Sequence, residues 1–225
     1  MTRKIFIFEI LLTAAALAAA VIAWPHLPET IPTHWNLQGQ PDSYGSRWEI
    51  FLIGPGFMAA MMLLTWLLPW LSPKNFQVDA FRSTYRQVML MLFSLSAYLC
   101  AVMLWSAFGH SIDEGRAIIG GACLLIALLG NLMGKVRRNF YIGVRTPWTL
   151  ANERVWNATH RFAGKTLVVG GLVGLVLVIF GLKSWPMYAL LAGALAPVLY
   201  SLVYYKQLER RGELGDGLEN GKGER

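Results

Sequence analysis

Apolar residues gather in six runs, 5–24, 50–71, 88–108, 117–134, 166–182 and 185–205, separated by segments that concentrate prolines, glycines and charges. A helix needs roughly 20 mostly apolar residues to cross about 30 Å of hydrocarbon, so each run predicts one spanning helix. The first run opens on Arg3 and Lys4 and is rich in alanine, as a signal peptide would be. It nevertheless fills a whole span, holds Glu9 and reaches Trp24-Pro25 without a clear cleavage site, and is read as a retained helix. Gly130 and Gly134, and separately Gly170 and Gly174, are small residues four apart that let helix backbones approach closely. Spans four, five and six are therefore expected to pack as one rigid unit.

Two polar segments interrupt the pattern. The first, 27–49, has prolines at 28, 32 and 41 and turn-forming Gly39 and Gly45, which exclude a long helix. It carries His34, Trp35, Asn36, Gly39 and Asp42 as candidate ligand-facing residues, beside His26 and Glu49. Two readings are open here: the polar groups bind a peptide or a metal, or Trp24, Trp35 and Trp48 anchor the loop at the headgroups and the rest face water.

The second, 143–164, has sharper grammar. Thr146 before Pro147 reads as an N-cap with proline at the first helical position, and Gly164 reads as the stop. The helix expected between them, between spans four and five, is amphipathic and either lies in the interface or docks against the bundle from the cytoplasmic side. Trp148, Ala151, Val155, Ala158 and Phe162 line its apolar face, while Asn152, Trp156 and His160 step by four along another. Asn139, Arg145, Asn152, Glu153, Trp156 and His160 are the candidate site residues at this end. Either they form a docking face for a soluble partner, or they cap neighbouring spans while Arg145, Arg154 and Arg161 meet lipid phosphate.

Composition agrees with the spans. Of 225 residues 55% are hydrophobic and 15% charged, more apolar surface than one water-soluble core absorbs. With the N-terminus inside, 17 of the 20 lysines and arginines fall on inner segments, and only Arg47, Arg116 and Lys183 fall outside. That asymmetry predicts a multi-pass protein of a cytoplasmic membrane with both termini in the cytoplasm. The net charge of +7 is then a topology signal, and no nucleic-acid-binding motif accompanies it. The expected organisation is all-α: spans one and two with the outer loop (1–71), a loop and third span (72–116), the last three spans with the inner helix (117–205), and a disordered cytoplasmic tail (206–225).

Catalysis is hard to build from these residues. The predicted topology separates His26, His34 and His110 from His160 by the membrane, and no zinc-protease motif, nucleophile elbow or phosphate loop is present. Cys100 and Cys123 lie within spans, with neither disulfide nor metal spacing, and no cofactor is expected. Transport has more support. Glu9 is an ionisable residue at membrane depth, although near enough to the helix start to snorkel toward Lys4, and Gly54-Pro55-Gly56 and Pro197 break their spans.

The run N-x-x-x-G-x-R-T-P-W-T-L from Asn139, followed by N-E-x-V-W-N-x-T-H-R from Asn152, resembles the signature of the SdpI family of bacterial membrane proteins. The outer I-P-T-H-W-N-x-x-G-x-P-D, Ile31 to Asp42, is similar to DUF1648, a segment that often precedes that signature. The resemblance implies a non-catalytic membrane protein that gives immunity to a secreted peptide toxin. It also implies two partners besides the bilayer: the peptide outside, and a small repressor held at the membrane inside. Many relatives have no assigned role, so a transporter or an envelope-maintenance protein remains the alternative.

Overall fold

The computed structural model describes residues 3–36, 38–108, 110 and 112–214. Six helices are long and apolar enough to cross a membrane: α1 (Arg3–Ala23), α2 (Glu49–Leu71), α3 (Arg82–Ala107), α4 (Glu114–Met133), α6 (Glu153–Ile179) and α7 (Trp185–Arg210). A short helix, α5 (Pro147–Ala151), precedes α6. The chain is an all-α membrane bundle, with one small addition. The first polar segment forms a two-stranded antiparallel hairpin, β1 (Thr30–Trp35) and β2 (Pro41–Ser46). The bundle thus has a hairpin end and a terminal end, the latter carrying Arg3 and Leu214.

The apolar exterior suits lipid. Trp66, Trp70, Leu63, Ile179 and Phe180 are all exposed, on helices whose outer faces would aggregate in water. Glu9 behaves differently from the expectation that it snorkels: it is buried, and among the described residues its Oε2 has no hydrogen-bond partner. Pro55 is absorbed by a π-helical turn over Leu52–Gly56, which accommodates the missing N–H and leaves Gly54 against the Cys100 sulfur.

Close packing concentrates in α4, α6 and α7, and glycines make it possible. A Cβ on Gly171 would stand 2.7 Å from both the Ala127 nitrogen and the Cys123 oxygen of α4, and one on Gly170 would stand 2.8 Å from the Ala189 oxygen of α7. Gly130 faces the Val168 backbone of α6 in the same way. Gly134 plays no such part, since nothing approaches its Cβ position closer than 4.0 Å.

Two expectations about the second polar segment are corrected. It is not a separate interfacial helix from Thr146 to Ala163: α5 ends at Ala151, Asn152 is extended, and the following helix runs unbroken for 27 residues into span five. Gly164 is therefore not a stop. Its hydrogen side lies where a Cβ would sit 3.1 Å from the Gly130 oxygen, so the residue serves close approach of α4 and α6. At 1.5 Å per residue α6 is about 40 Å long, about 10 Å more than the hydrocarbon is thick. At the other end of the last helix, α7 continues to Arg210 and residues up to 214 are placed. The rest of the expected tail, 215–225, lies outside the described residues.

Candidate functional site

The terminal end is built around residues of the second motif, and the loop between α4 and α5 organises it. Asn139 is fully buried and uses both ends of its amide on its own loop. Its Nδ2 donates to the Arg137 oxygen (2.7 Å) and the Ile142 oxygen (3.1 Å), and its Oδ1 accepts from the backbone N–H groups of Tyr141 (2.7 Å) and Ile142 (2.8 Å). Four backbone groups of a part-buried turn are satisfied by one side chain. Asn139→Ala is accordingly expected to cost about 2–4 kcal/mol, measured as a lowered thermal midpoint of the detergent-solubilised protein.

Thr146 and Thr149 close a reciprocal capping box on α5, and the Thr149 hydroxyl also donates to the Val144 oxygen at 2.8 Å. The Thr146 hydroxyl lies 3.1 Å from the Ser201 hydroxyl, tying the loop to α7. Asn152 caps α6 by accepting from the Val155 N–H (3.1 Å), while its amide donates to the Leu214 oxygen (2.8 Å). Beside it Arg154 pairs with Glu213 at 3.1 Å, so the end of α7 is strapped to the start of α6.

Trp156 and His160 are stacked, with ring centroids 4.0 Å apart, and both are buried. The indole N–H donates to the Val136 oxygen at 2.9 Å. The Val144 N–H donates to His160 Nε2 (3.1 Å), so that nitrogen carries no proton, and Nδ1 faces the Trp156 oxygen at 2.8 Å, so that one does. Both ring nitrogens are committed and the tautomer is fixed by its partners. Gly143 makes room for this ring: its φ is +113°, and a Cβ there would collide with the imidazole.

Of the two readings of Asn152, Trp156 and His160, these contacts favour packing within the bundle over a docking face. Their polar atoms meet backbone groups of the 136–144 loop and of Leu214, which a soluble partner would have to displace. Of the expected apolar face, Val155 is buried, Trp148, Ala158 and Phe162 are half-buried and Ala151 is exposed, while the fully buried stripe of α6 also takes in Trp156, Thr159, His160 and Ala163. Arg145 and Glu153 remain exposed, and among the described residues neither makes a salt bridge, with each other or elsewhere. Sequence reasoning missed Thr149, Ser201 and Val144. The T-x-x-T spacing of the capping box was the available signal for Thr149.

At the hairpin end the candidates hold the hairpin together. His34 Nδ1 and Asp42 Oδ1 meet at 2.5 Å across the strands, both exposed. Asn36 accepts from the N–H groups of Gln38 (2.9 Å) and Gln40 (3.0 Å), and Gly39 takes a positive φ of 74° in the turn. The turn rests on α4, where Gly115 lies so close to Gly39 that a Cβ would overlap its carbonyl. Trp35 is half-buried, and its indole N–H is buried with no acceptor among the described residues. Among those residues no three of His, Cys, Asp and Glu gather as metal ligands.

Both motif regions match known family models. The SdpI/YfhL protein family matches residues 135–205, which hold the loop, the buried pair and most of the last two spans. DUF1648, a domain of unknown function, matches residues 11–59, which hold the hairpin. The Immunity protein SdpI of Bacillus subtilis (strain 168) is 30% identical over 206 residues, covering 90% of this chain and 96% of that protein. The chain belongs to the SdpI family. No solved structure matches it. In this SdpI family member the Asn139 and His160 positions of the motif are committed to the internal lock, whereas the hairpin of the DUF1648 segment presents exposed side chains.

Proposed function

We propose that this chain protects the cell carrying it against a secreted peptide, without catalysis, with the hairpin outside and both termini in the cytoplasm. The observation that supports the reading is the similarity to an immunity protein along nearly the whole of both chains, hairpin segment included. The distribution of lysine and arginine supports the orientation. A peptide arriving from outside meets the hairpin first, and exposed Tyr44 and Trp48 give it an amphipathic surface there. A cytoplasmic repressor, if bound, meets Arg145 and Glu153 rather than the buried Trp156 and His160.

The test is complementation. A Bacillus subtilis strain lacking its Immunity protein SdpI and expressing this chain is grown beside the parent strain, and survival at the level of the parent is expected. Killing at the rate seen with an empty vector, at a verified membrane level of the chain, contradicts the reading. Orientation is checked separately by introduced cysteines. Ser43→Cys is expected to react with an impermeant thiol reagent in intact cells, and Glu153→Cys only after lysis.

A further inference from the structure

Under the hairpin lies a cleft of about 130 Å³ between β1, α2, α3 and the start of α4. Its walls include Leu27, Ile31, Ile50 and Met103, and it is also lined by Trp35 and Glu114. Three features of the cleft are left unanswered among the described residues. The Trp35 indole N–H is buried without an acceptor among the described residues, and an unmade hydrogen bond of that kind costs about 1–3 kcal/mol. Glu114 is half-buried and makes no salt bridge among those residues, the neighbouring Arg116 being paired with Asp113 at 3.6 Å. The apolar walls enclose room comparable to a cavity of about 150 Å³ that accepts benzene, enough for one branched or aromatic side chain.

An occupant that answers all three has an apolar side chain for the walls, a carbonyl oxygen for the indole N–H and a positive charge for the carboxylate. We propose that this cleft receives the free amino terminus of a peptide whose first residue is apolar. The α-ammonium pairs with Glu114, the first carbonyl accepts from Trp35 and the first side chain fills the apolar walls. The inference rests on the proposed meeting with a peptide at the hairpin end and adds which part of the peptide is read.

Phenylalaninamide carries all three groups and serves as the probe. It is titrated into the full-length protein in nanodiscs, with ¹⁵N-labelled indoles observed by NMR and the Trp35 signal assigned through Trp35→Phe. The Trp35 N–H resonance is expected to move saturably. N-acetylphenylalaninamide, without the charge, is expected to bind about tenfold more weakly, and Glu114→Gln to weaken phenylalaninamide by a similar factor. A Trp35 resonance unmoved at the solubility limit, the same response to N-acetylphenylalaninamide, or an affinity unchanged by Glu114→Gln overturns the proposal. The readout is independent of cell survival. An unmoved resonance with protection intact removes the cleft and leaves the immunity reading standing, while binding without protection does the reverse.

Discussion

Trp156→Ala is expected to lower the stability of the chain by about 3–5 kcal/mol, seen as a large fall in the thermal midpoint in detergent. The side chain is fully buried and belongs to the cluster that joins α3, α4 and α6 at the terminal end, with Tyr85, Met89, Met133 and Ala163 around it. Truncation empties that space and removes the stacked face of His160. It also leaves the Val136 oxygen without its donor. Trp156→Phe separates the contributions. It keeps a ring against His160 but loses the N–H, so a cost of about 1–2 kcal/mol is expected from the hydrogen bond and the smaller volume. An unchanged midpoint for the alanine variant would mean that this tryptophan does not hold the end of the bundle.

Gly171→Leu should prevent assembly of the second half of the molecule. The new side chain would point into the α4 backbone, with Cβ alone at 2.7 Å from two main-chain atoms. Main chain cannot swing aside as a side-chain tip can, so the helices must separate. Overpacking ordinarily costs about 1–3 kcal/mol and occasionally more, and this site is expected at or above the upper end. Loss of a monodisperse peak on size exclusion, with low membrane level, is the expected result. Gly120 supplies the control: its Cβ position meets only a Val178 methyl at 3.6 Å, so Gly120→Ala should fold normally and gain some helix propensity. Equal behaviour of the two variants would contradict the packing described for α4 and α6.

The six spans were legible because lipid demands long apolar runs, and no competing signal disguises them. The hairpin was not. β1 contains Pro32 and lacks clean alternation, and its pairing slips between Pro32 and Trp35, so its prolines and glycines read only as breakers. Thr146 and Pro147 marked a real helix start, yet Asn152 supplied a second one six residues later. A glycine at 164 looks the same in sequence whether it ends a helix or lets another pass. The row Asn152, Trp156, His160 misled for a related reason. Polar groups at helical spacing suggest a face open to solvent or a partner, and here their partners are backbone groups of the 136–144 loop and of Leu214, whose positions no side-chain pattern announces. Asn139 was singled out from its motif, but that its amide closes its own loop required the structure.

In the proposed function the hairpin end meets the peptide while the polar motif of the terminal end holds the protein together. Survival in the complemented strain, compared between two variants at equal membrane level, tests it most directly. One variant replaces His34 and Trp35 by alanine; the other replaces the exposed Arg145 and Glu153 by alanine. The first is expected to lose protection while reaching the membrane at the parent's level, and the second to protect as the parent does. Protection retained by the hairpin variant and lost by the Arg145 and Glu153 variant would contradict it.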